Sequence, residues 1–286
     1  MTTLSATTAA HRSHAPPLEG RAATRAVLAL VAGQFMANLD TAVTNVAAPA
    51  IHVDLGATGS QLQLVTSGFV MSYAVLLITG ARLGTLHGFR TMYLSGLAAF
   101  TVCSLLCGVA PDPLTLIVAR ICQGAAAAVM VPQVLTGIQR LVGGEGRARA
   151  FGWYAAALSA GAVAGQVLGG VLVTADLAGL GWRTVFLVNV PVGVALLFLT
   201  ARVVPVSANQ KQPHESLDLA GVVLLSVSVL LVVVPLVLGR ELGWPTWGWV
   251  ALAASVVSLG CFVHVERRIS ATGGHPLVDP HLLGRP

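Results

Sequence analysis

The run VVLLSVSVLLVVVPLVL at residues 222–238 decides the fold class, because it is apolar at nearly every position. Only Ser226, Ser228 and Pro235 interrupt it. A strand of a membrane barrel alternates apolar and polar residues over about ten positions. A helix that crosses the bilayer core of about 30 Å instead needs about 20 predominantly apolar residues. The run therefore indicates a membrane-spanning helix, whose backbone groups satisfy one another.

Seven other stretches have the same character, and the composition of the chain agrees with them. Of the 286 residues, 55% are hydrophobic and only 9% are charged, whereas about a quarter are charged in an ordinary soluble domain. So few charges cannot cover a water-exposed surface. We expect an all-α polytopic membrane protein with eight spans: 27–48, 62–79, 92–109, 114–135, 150–174, 185–204, 219–238 and 247–265.

The positions of the basic residues predict the orientation. Thirteen of the sixteen Lys and Arg residues fall on the N-terminal side of the predicted membrane, and only Arg183 and Arg240 fall on the other. Cytoplasmic loops carry the basic excess, so both termini are expected in the cytoplasm, with the protein in the inner membrane. The net charge of +5 is then explained by topology, and no nucleic-acid partner is expected.

The same pattern predicts the organisation of the chain. Residues 205–218 contain two prolines together with Asn and Gln and are typical of a linker. The predicted parts are a disordered cytoplasmic tail (1–24), a six-helix bundle (25–204), a cytoplasmic linker (205–218), an additional helix pair (219–265) and a second cytoplasmic tail (266–286).

One acidic residue, Asp40, and one basic residue, Arg120, lie deep within predicted spans. A charge at the centre of a membrane helix costs roughly 2.5–3.5 kcal/mol on insertion scales, so such residues usually face a cavity and have a partner. Arginine stays protonated at any working pH. We therefore expect Arg120, steadied by Gln123 on the same helix face, to favour the ionised state of Asp40. The alternative is a structural network between Arg120 and backbone carbonyls.

The first predicted span also carries a row of uncharged polar residues. Their spacing of four, three and four places them on one side of a helix, flanked by Asp40. Such a face is a candidate wall of a polar cavity, although the same groups could simply hold neighbouring helices together by hydrogen bonds. The row consists of Gln34, Asn38, Thr41 and Asn45.

The fifth predicted span contains Gly161, Gly165 and Gly169 at intervals of four, followed by Gly170. Small residues at this spacing predict close packing against a neighbouring membrane helix. The four cysteines of the chain lie within apolar spans without a histidine at metal-ligand spacing, so neither a metal site nor a cofactor is expected.

Several motifs resemble those of the drug:proton antiporters of the major facilitator superfamily, in the branch with fourteen helices. LDTAVTNVAAPAI is similar to the first-helix pattern LDxTVVNVALPxI, and ARICQG to the RxxQG motif, whose arginine is associated with proton coupling. GQVLGG is similar to GPxxGG, and WRTVFLVNVPVG to WRWIFxINxPIG. DLAG and PLVD resemble segments that flank the additional central helix pair. The motifs lie at residues 39–51, 119–124, 165–170, 182–193, 218–221 and 276–279.

The sequence departs from the family pattern at two places. In the loop RLGTLHGFR at residues 82–90, Thr85 stands where the family has an aspartate that helps to latch the two halves. Gly88 and Arg90 remain, which is sufficient for a tight turn and a cytoplasmic anchor. Gln166 replaces the proline that shapes the fifth helix. The absence of this aspartate predicts altered conformational gating. The absence of the proline leaves open whether transport is coupled as antiport or in another way.

The resemblance implies efflux of amphipathic small molecules driven by proton entry, with membrane lipid around the spans. In this interpretation Asp40 and Arg120 couple transport to protons, while Gln34, Asn38, Thr41, Asn45 and Gln123 line the substrate cavity. The chain ends after eight predicted spans, so we expect a fragment, or a bundle that works with a second bundle, a homodimer mate or a full-length transporter. A non-transporting truncated paralogue that modulates such a transporter is the alternative. No nucleophile–base pair or HExxH motif suggests an enzyme.

Overall fold

The computed structural model describes residues 20–144, 146–206, 219–239 and 243–271. Within these ranges the backbone is helical apart from short connections, and it contains no β-strand. Two short 3₁₀ turns, Leu177–Gly179 and Gly181–Arg183, precede α6. The helices are α1 (Gly20–Leu55), α2 (Gly59–His87), α3 (Phe89–Gly108), α4 (Pro113–Leu141), α5 (Gly146–Ala175), α6 (Thr184–Leu187), α7 (Asn189–Val203), α8 (Leu219–Leu238) and α9 (Thr246–Ala271).

Among the described residues, seven helices are long and apolar enough to cross a membrane. The sixth of them, Gly181–Val203, combines the second 3₁₀ turn with α6 and α7. The remaining predicted span coincides with α8, which is apolar over Gly221–Leu236. The prediction of an all-α polytopic membrane protein is therefore confirmed.

The predicted boundaries differ at both ends of the membrane region. Residues 20–24 belong to α1 instead of the predicted tail, because Ala22 and Ala23 continue the helix without a breaker. At the other end, α9 continues to Ala271, past the predicted end at residue 265. Residues 207–218 of the linker, the rest of the first tail and the end of the second tail lie outside the described residues.

Local chemistry at the helix ends keeps the connections short. The Thr58 hydroxyl accepts a hydrogen bond from the Gln61 amide at 3.3 Å, and the Gln61 side chain accepts from the Thr58 amide at 2.8 Å. This reciprocal capping box begins α2. The Asp112 carboxylate caps α4 by accepting from the Thr115 amide at 2.9 Å. Hydrogen bonds from the Thr115 side chain and backbone hold the pKa of Asp112 below its usual value.

The predicted tight turn at Gly88 joins α2 directly to α3. Gly88 has φ +90°, a conformation that favours glycine, and its amide donates to the Gly84 carbonyl at 3.0 Å. Two residues later, Arg90 donates to the carbonyls of Val204 and Ala201, both at 2.8 Å. Arg90 thereby ties the start of α3 to the end of α7.

The helices pack around two apolar clusters. α2 and α3 pack against α4, and α1 packs against α5. α8 packs against α9 and also contacts α2, which joins this helix pair to the rest of the bundle. One cluster contains Leu30, Phe100 and Met130, and the other contains Val43 and Trp182. Along α1, the boundary between the two clusters falls at residues 37–39. Asp40 lies at this boundary, near the middle of its span.

The glycine row of α5 faces α1 at three of its four positions. A Cβ added to Gly161 or Gly165 would lie 2.8 or 2.6 Å from a carbonyl oxygen of α1, which is too close without a shift of the backbone, and a Cβ at Gly169 would make a tight contact of 3.1 Å with Val46. A Cβ at Gly170 would meet nothing within 4 Å. Gly170 therefore does not take part in the close contact that the sequence suggested for the whole row.

Candidate functional site

A buried polar cluster occupies the centre of the six-helix bundle. Its five side chains come from α1, α3, α4 and α7, and each is at most 1% exposed. Such burial within apolar helices is costly unless charges and hydrogen-bonding groups are paired inside the protein. The members of the cluster are Asp40, Ser104, Arg120, Gln123 and Asn189.

The Asp40 carboxylate is the acceptor on which the cluster converges. Arg120 Nη1 donates to Oδ2 at 2.5 Å. Gln123 Nε2 and Asn189 Nδ2 donate to Oδ1 at 3.0 and 2.7 Å. Both oxygens of the carboxylate are therefore satisfied, and its negative charge is paired with the guanidinium.

The Arg120 guanidinium is held from several sides. Its Nε donates to the Val65 carbonyl at 3.2 Å, and Nη1 also donates to Gln123 Oε1 at 2.6 Å. The guanidinium carbon lies 4.5 Å from the ring centroid of Phe69 and 5.6 Å from that of Phe186. Its Nη2 has no hydrogen-bond partner among the described residues. The structure therefore contains both arrangements that the sequence suggested for Arg120, an ion pair with Asp40 and a hydrogen bond to a backbone carbonyl.

Ser104 closes the network on the side of α3. Its hydroxyl oxygen accepts from Gln123 Nε2 at 3.2 Å and from Asn189 Nδ2 at 3.1 Å. The hydroxyl itself donates to the Phe186 carbonyl at 3.1 Å. The two amides are therefore fixed in an orientation that presents their N–H groups to Asp40.

This arrangement is chemically matched to an ionised carboxylate. All three partners of Asp40 donate hydrogen bonds to it, whereas a protonated carboxyl group would bring a donor of its own. Arginine has no acceptor atom. Proton uptake by Asp40 therefore requires at least one contact of the cluster to break or one amide to turn round.

An open cleft of about 470 Å³ lies beside this cluster, between α1 and α5. Three residues of the predicted cavity wall line it, namely Asn38, Thr41 and Asn45. Gln166, at one of the two departures from the family pattern, lines the opposite side. The complete lining is Asn38, Thr41, Ala42, Asn45, Val46, Ala162 and Gln166.

The other two residues of the predicted wall lie elsewhere. Gln123 belongs to the buried cluster, and Gln34 is only 4% exposed, with an Oε1 that has no hydrogen-bond partner among the described residues. Asp40 faces the cluster and not the cleft. Helical spacing places Gln34 on the same face of α1 as Asn38, Thr41 and Asn45. Spacing alone does not show which part of this face stays open, because that depends on how the neighbouring helices pack against it.

Sequence reasoning assigned no role to Ser104 and Asn189. Asn189 lies within the WRTVFLVNVPVG motif, so the resemblance contained a signal for it. Ser104 is one of several hydroxyl residues in apolar helices and gave none. In the part of the chain that the structure describes, no group of three or more His, Cys, Asp or Glu side chains is placed to hold a metal ion.

A bundle of six spanning helices with a buried ion pair and a polar cleft beside it is typical of one repeat of a secondary transporter. The chain belongs to the Major Facilitator Superfamily, whose family model matches residues 30–271. The predicted relationship to the drug exporters of this superfamily is confirmed by its relatives.

Three curated proteins that are similar to this chain are named as transport or export proteins. The "Probable actinorhodin transporter" of Streptomyces coelicolor is 40% identical over 94% of this chain and 46% of its own length. The "Cephamycin export protein CmcT" of Amycolatopsis lactamdurans is 38% identical, over 92% and 53%. The "Tetracenomycin C resistance and export protein" of Streptomyces glaucescens is 34% identical, over 85% and 44%. The chain thus spans about half the length of the curated relatives it matches.

One solved protein structure has a fold similar to that of this chain. The crystal structure of the peptide transporter POT matches with a TM-score of 0.57 and 15% identity. The match covers 85% of this chain and 51% of the transporter chain. At this identity the similarity concerns the fold alone.

Proposed function

We propose that this protein exports amphipathic small molecules across the cytoplasmic membrane in exchange for protons, and that Asp40 carries the proton. The observation that carries the proposal is the Asp40–Arg120 ion pair, whose two side chains are 0% exposed. A buried pair of this kind is costly to maintain, and replacing one with apolar residues is often neutral or stabilising. Its presence in the middle of a membrane bundle therefore favours a functional role.

Proton binding to Asp40 would act as the switch. Neutralising the carboxylate removes its attraction for Arg120 and places an O–H opposite groups that are themselves donors. Arg120 would then shift towards the Val65 carbonyl and Gln123 Oε1, which already accept from it. Because the cluster joins α1, α3, α4 and α7, this shift would be transmitted to helices on several sides of the bundle.

The available energy is sufficient for export. A proton that moves inward through 100 mV releases about 2.3 kcal/mol. At 1.4 kcal/mol for each factor of ten, this sustains roughly a 50-fold gradient of an uncharged solute. Alternating access would rock this bundle against a second one around a midplane site. The second bundle could come from further chain, a second copy or a full-length relative.

The packing and turn residues would support this movement. The contact of Gly161, Gly165 and Gly169 with α1 allows α5 to follow α1 closely. Gly88 and Arg90 would anchor the cytoplasmic ends of α2, α3 and α7, with both termini in the cytoplasm as the basic residues predict.

The second candidate function is modulation of a full-length transporter by this chain, and the residue that favours it is Thr85. The Thr85 hydroxyl donates to the Arg82 carbonyl of its own helix at 2.7 Å. It supplies no carboxylate of the kind that latches the two halves in the resembling family. Co-expression with a full-length relative distinguishes the two candidates: a modulator changes export by the relative and exports nothing alone.

The test of the proposed function is proton exchange in vesicles that contain the protein. Two probes are offered, uncharged chloramphenicol and cationic ethidium, and probe-driven proton movement is followed with a pH-sensitive dye. Asp40→Asn keeps the size of the side chain but removes the protonation site, so exchange should fall to background. Asp176→Asn is the matched control: Asp176 lies outside the spans, and its acceptor bond from the Gly181 amide is one that asparagine can also make.

The control variant should exchange at the wild-type rate. Wild-type exchange by Asp40→Asn would exclude Asp40 as the proton carrier. Export of a probe without any proton movement would retain a transporter but exclude antiport.

A further inference from the structure

We propose that the cleft between α1 and α5 binds uncharged ligands that carry carbonyl or hydroxyl groups, and that Gln166 is a specificity-determining contact. The ligand would be held by the side-chain amides of Asn38, Asn45 and Gln166. The proposal rests on the proposed function in one respect, since it takes the cleft to be part of the transport pathway.

The cleft does not have the chemistry of a lipid-facing surface. Asn45 and Gln166 are exposed within spanning helices, and their side chains form no hydrogen bond with the described residues. Exposure of an unpaired amide to hydrocarbon costs several kcal/mol. These two amides therefore require polar groups against them, which water or a ligand in the cleft would supply.

The packing of α5 on α1 brings the three amides to one place. Gly165 lies against Leu39 and Ala42, and Gly169 lies against Val43 and Val46, so the two helices run in the same direction and in register. Gln166 follows Gly165 directly. It consequently stands at a level between Asn38 and Asn45, which are about 10 Å apart along α1 at 1.5 Å per residue.

The absence of charge in the cleft selects the class of ligand. None of the residues that line it is charged, and Asp40 is both buried and paired with Arg120. A cation that entered would lose hydration without gaining a counter-charge. A neutral ligand loses less, and side-chain amides can both donate to its carbonyl groups and accept from its hydroxyl groups. The cleft volume of about 470 Å³ falls within the range of about 300–1,000 Å³ that is usual for small-molecule sites.

Part of this polarity is a property of this chain in particular. At the position of Gln166 the resembling motif has proline, whose side chain offers no hydrogen bond. Asn38 and Thr41 already use one donor each on carbonyls of their own helix, at 3.2 and 3.1 Å. On the α5 side only Ala162 and Gln166 line the cleft, and of these two only Gln166 carries side-chain donors and acceptors.

The first test measures protection of the site and is independent of transport. Gln166→Cys is made in a Cys122→Ala, Cys261→Ala background, since these two cysteines are exposed. Labelling by a membrane-impermeant methanethiosulfonate reagent is followed in membranes. Labelling is expected, and chloramphenicol should slow it at least fivefold, whereas ethidium at equal concentration should slow it less than twofold.

Val167→Cys is the matched control, because Val167 is the next residue on α5, is 63% exposed and does not line the cleft. It should resist the reagent as a lipid-facing position. If Gln166→Cys were unlabelled, or if both probes protected it equally, the proposal would be overturned.

The second test uses export by the otherwise unaltered protein. Gln166→Leu should raise the KM for chloramphenicol about tenfold, as expected for the loss of one or two hydrogen bonds, with a much smaller change in kcat. An unchanged KM would overturn the role of Gln166 while the proposed function stands. If the wild type exported neither probe, the proposed function would fail, and the binding site would be judged by the protection experiment alone.

Discussion

Replacing Asp40 and Arg120 singly and together would measure how strongly the folded bundle depends on their pairing. Both side chains are 0% exposed, and the nearest oxygen and nitrogen are 2.5 Å apart. Asp40→Asn leaves a buried guanidinium with no anion. Arg120→Gln leaves a buried carboxylate that keeps the amide donors of Gln123 and Asn189 but has no counter-charge. Removal of one partner from a buried pair costs about 3–5 kcal/mol.

The double variant should be less destabilised than either single variant. It contains no buried charge, and two amides can still hydrogen-bond in place of the ion pair, so the loss should remain within about 2 kcal/mol. The assay is reversible unfolding in mixed detergent micelles, followed by tryptophan fluorescence. If the double variant lost as much stability as the two single variants added together, Asp40 and Arg120 would be energetically independent. The ion pair could then not serve as the switch.

Two further predictions concern packing and the far end of the bundle. Gly165→Leu should prevent accumulation of folded protein in the membrane, because a Cβ there would lie 2.6 Å from the Leu39 carbonyl oxygen. Gly170→Leu, which meets open space, should accumulate at the wild-type level; equal loss in both would contradict the predicted α1–α5 contact. Asp54→Asn, which breaks the part-exposed ion pair with Arg183, should cost less than about 1 kcal/mol in the same unfolding assay. A loss of several kcal/mol would show that this pair is shielded from water.

The fold and the central ion pair could be predicted because membrane-spanning helices are almost entirely apolar, so a charged residue within one is easily recognised. Span lengths follow from bilayer thickness, and a charge inside an apolar run is rare enough to indicate a buried partner. Asp40 and Arg120 were therefore selected from the sequence alone, and the structure brings them together.

The neighbours of the pair could not be predicted in this way. Ser104 is equivalent to other serines in apolar helices until α3 is packed against α4 and α7. Gln34 shares the helical spacing of Asn38, yet one is enclosed and the other lines the cleft. Such differences depend on which helix covers which part of a face, and sequence periodicity carries no information about that.

The two aromatic rings beside Arg120 would have a consequence for the proposed protonation of Asp40. Phe69 and Phe186 place their rings 4.5 and 5.6 Å from the guanidinium carbon. A desolvated cation gains about 2 kcal/mol or more from such a ring face. Because the rings lie beside the guanidinium while it is still paired with Asp40, they would go on stabilising the arginine after its counter-ion is neutralised, and its charge would not be left against aliphatic side chains alone.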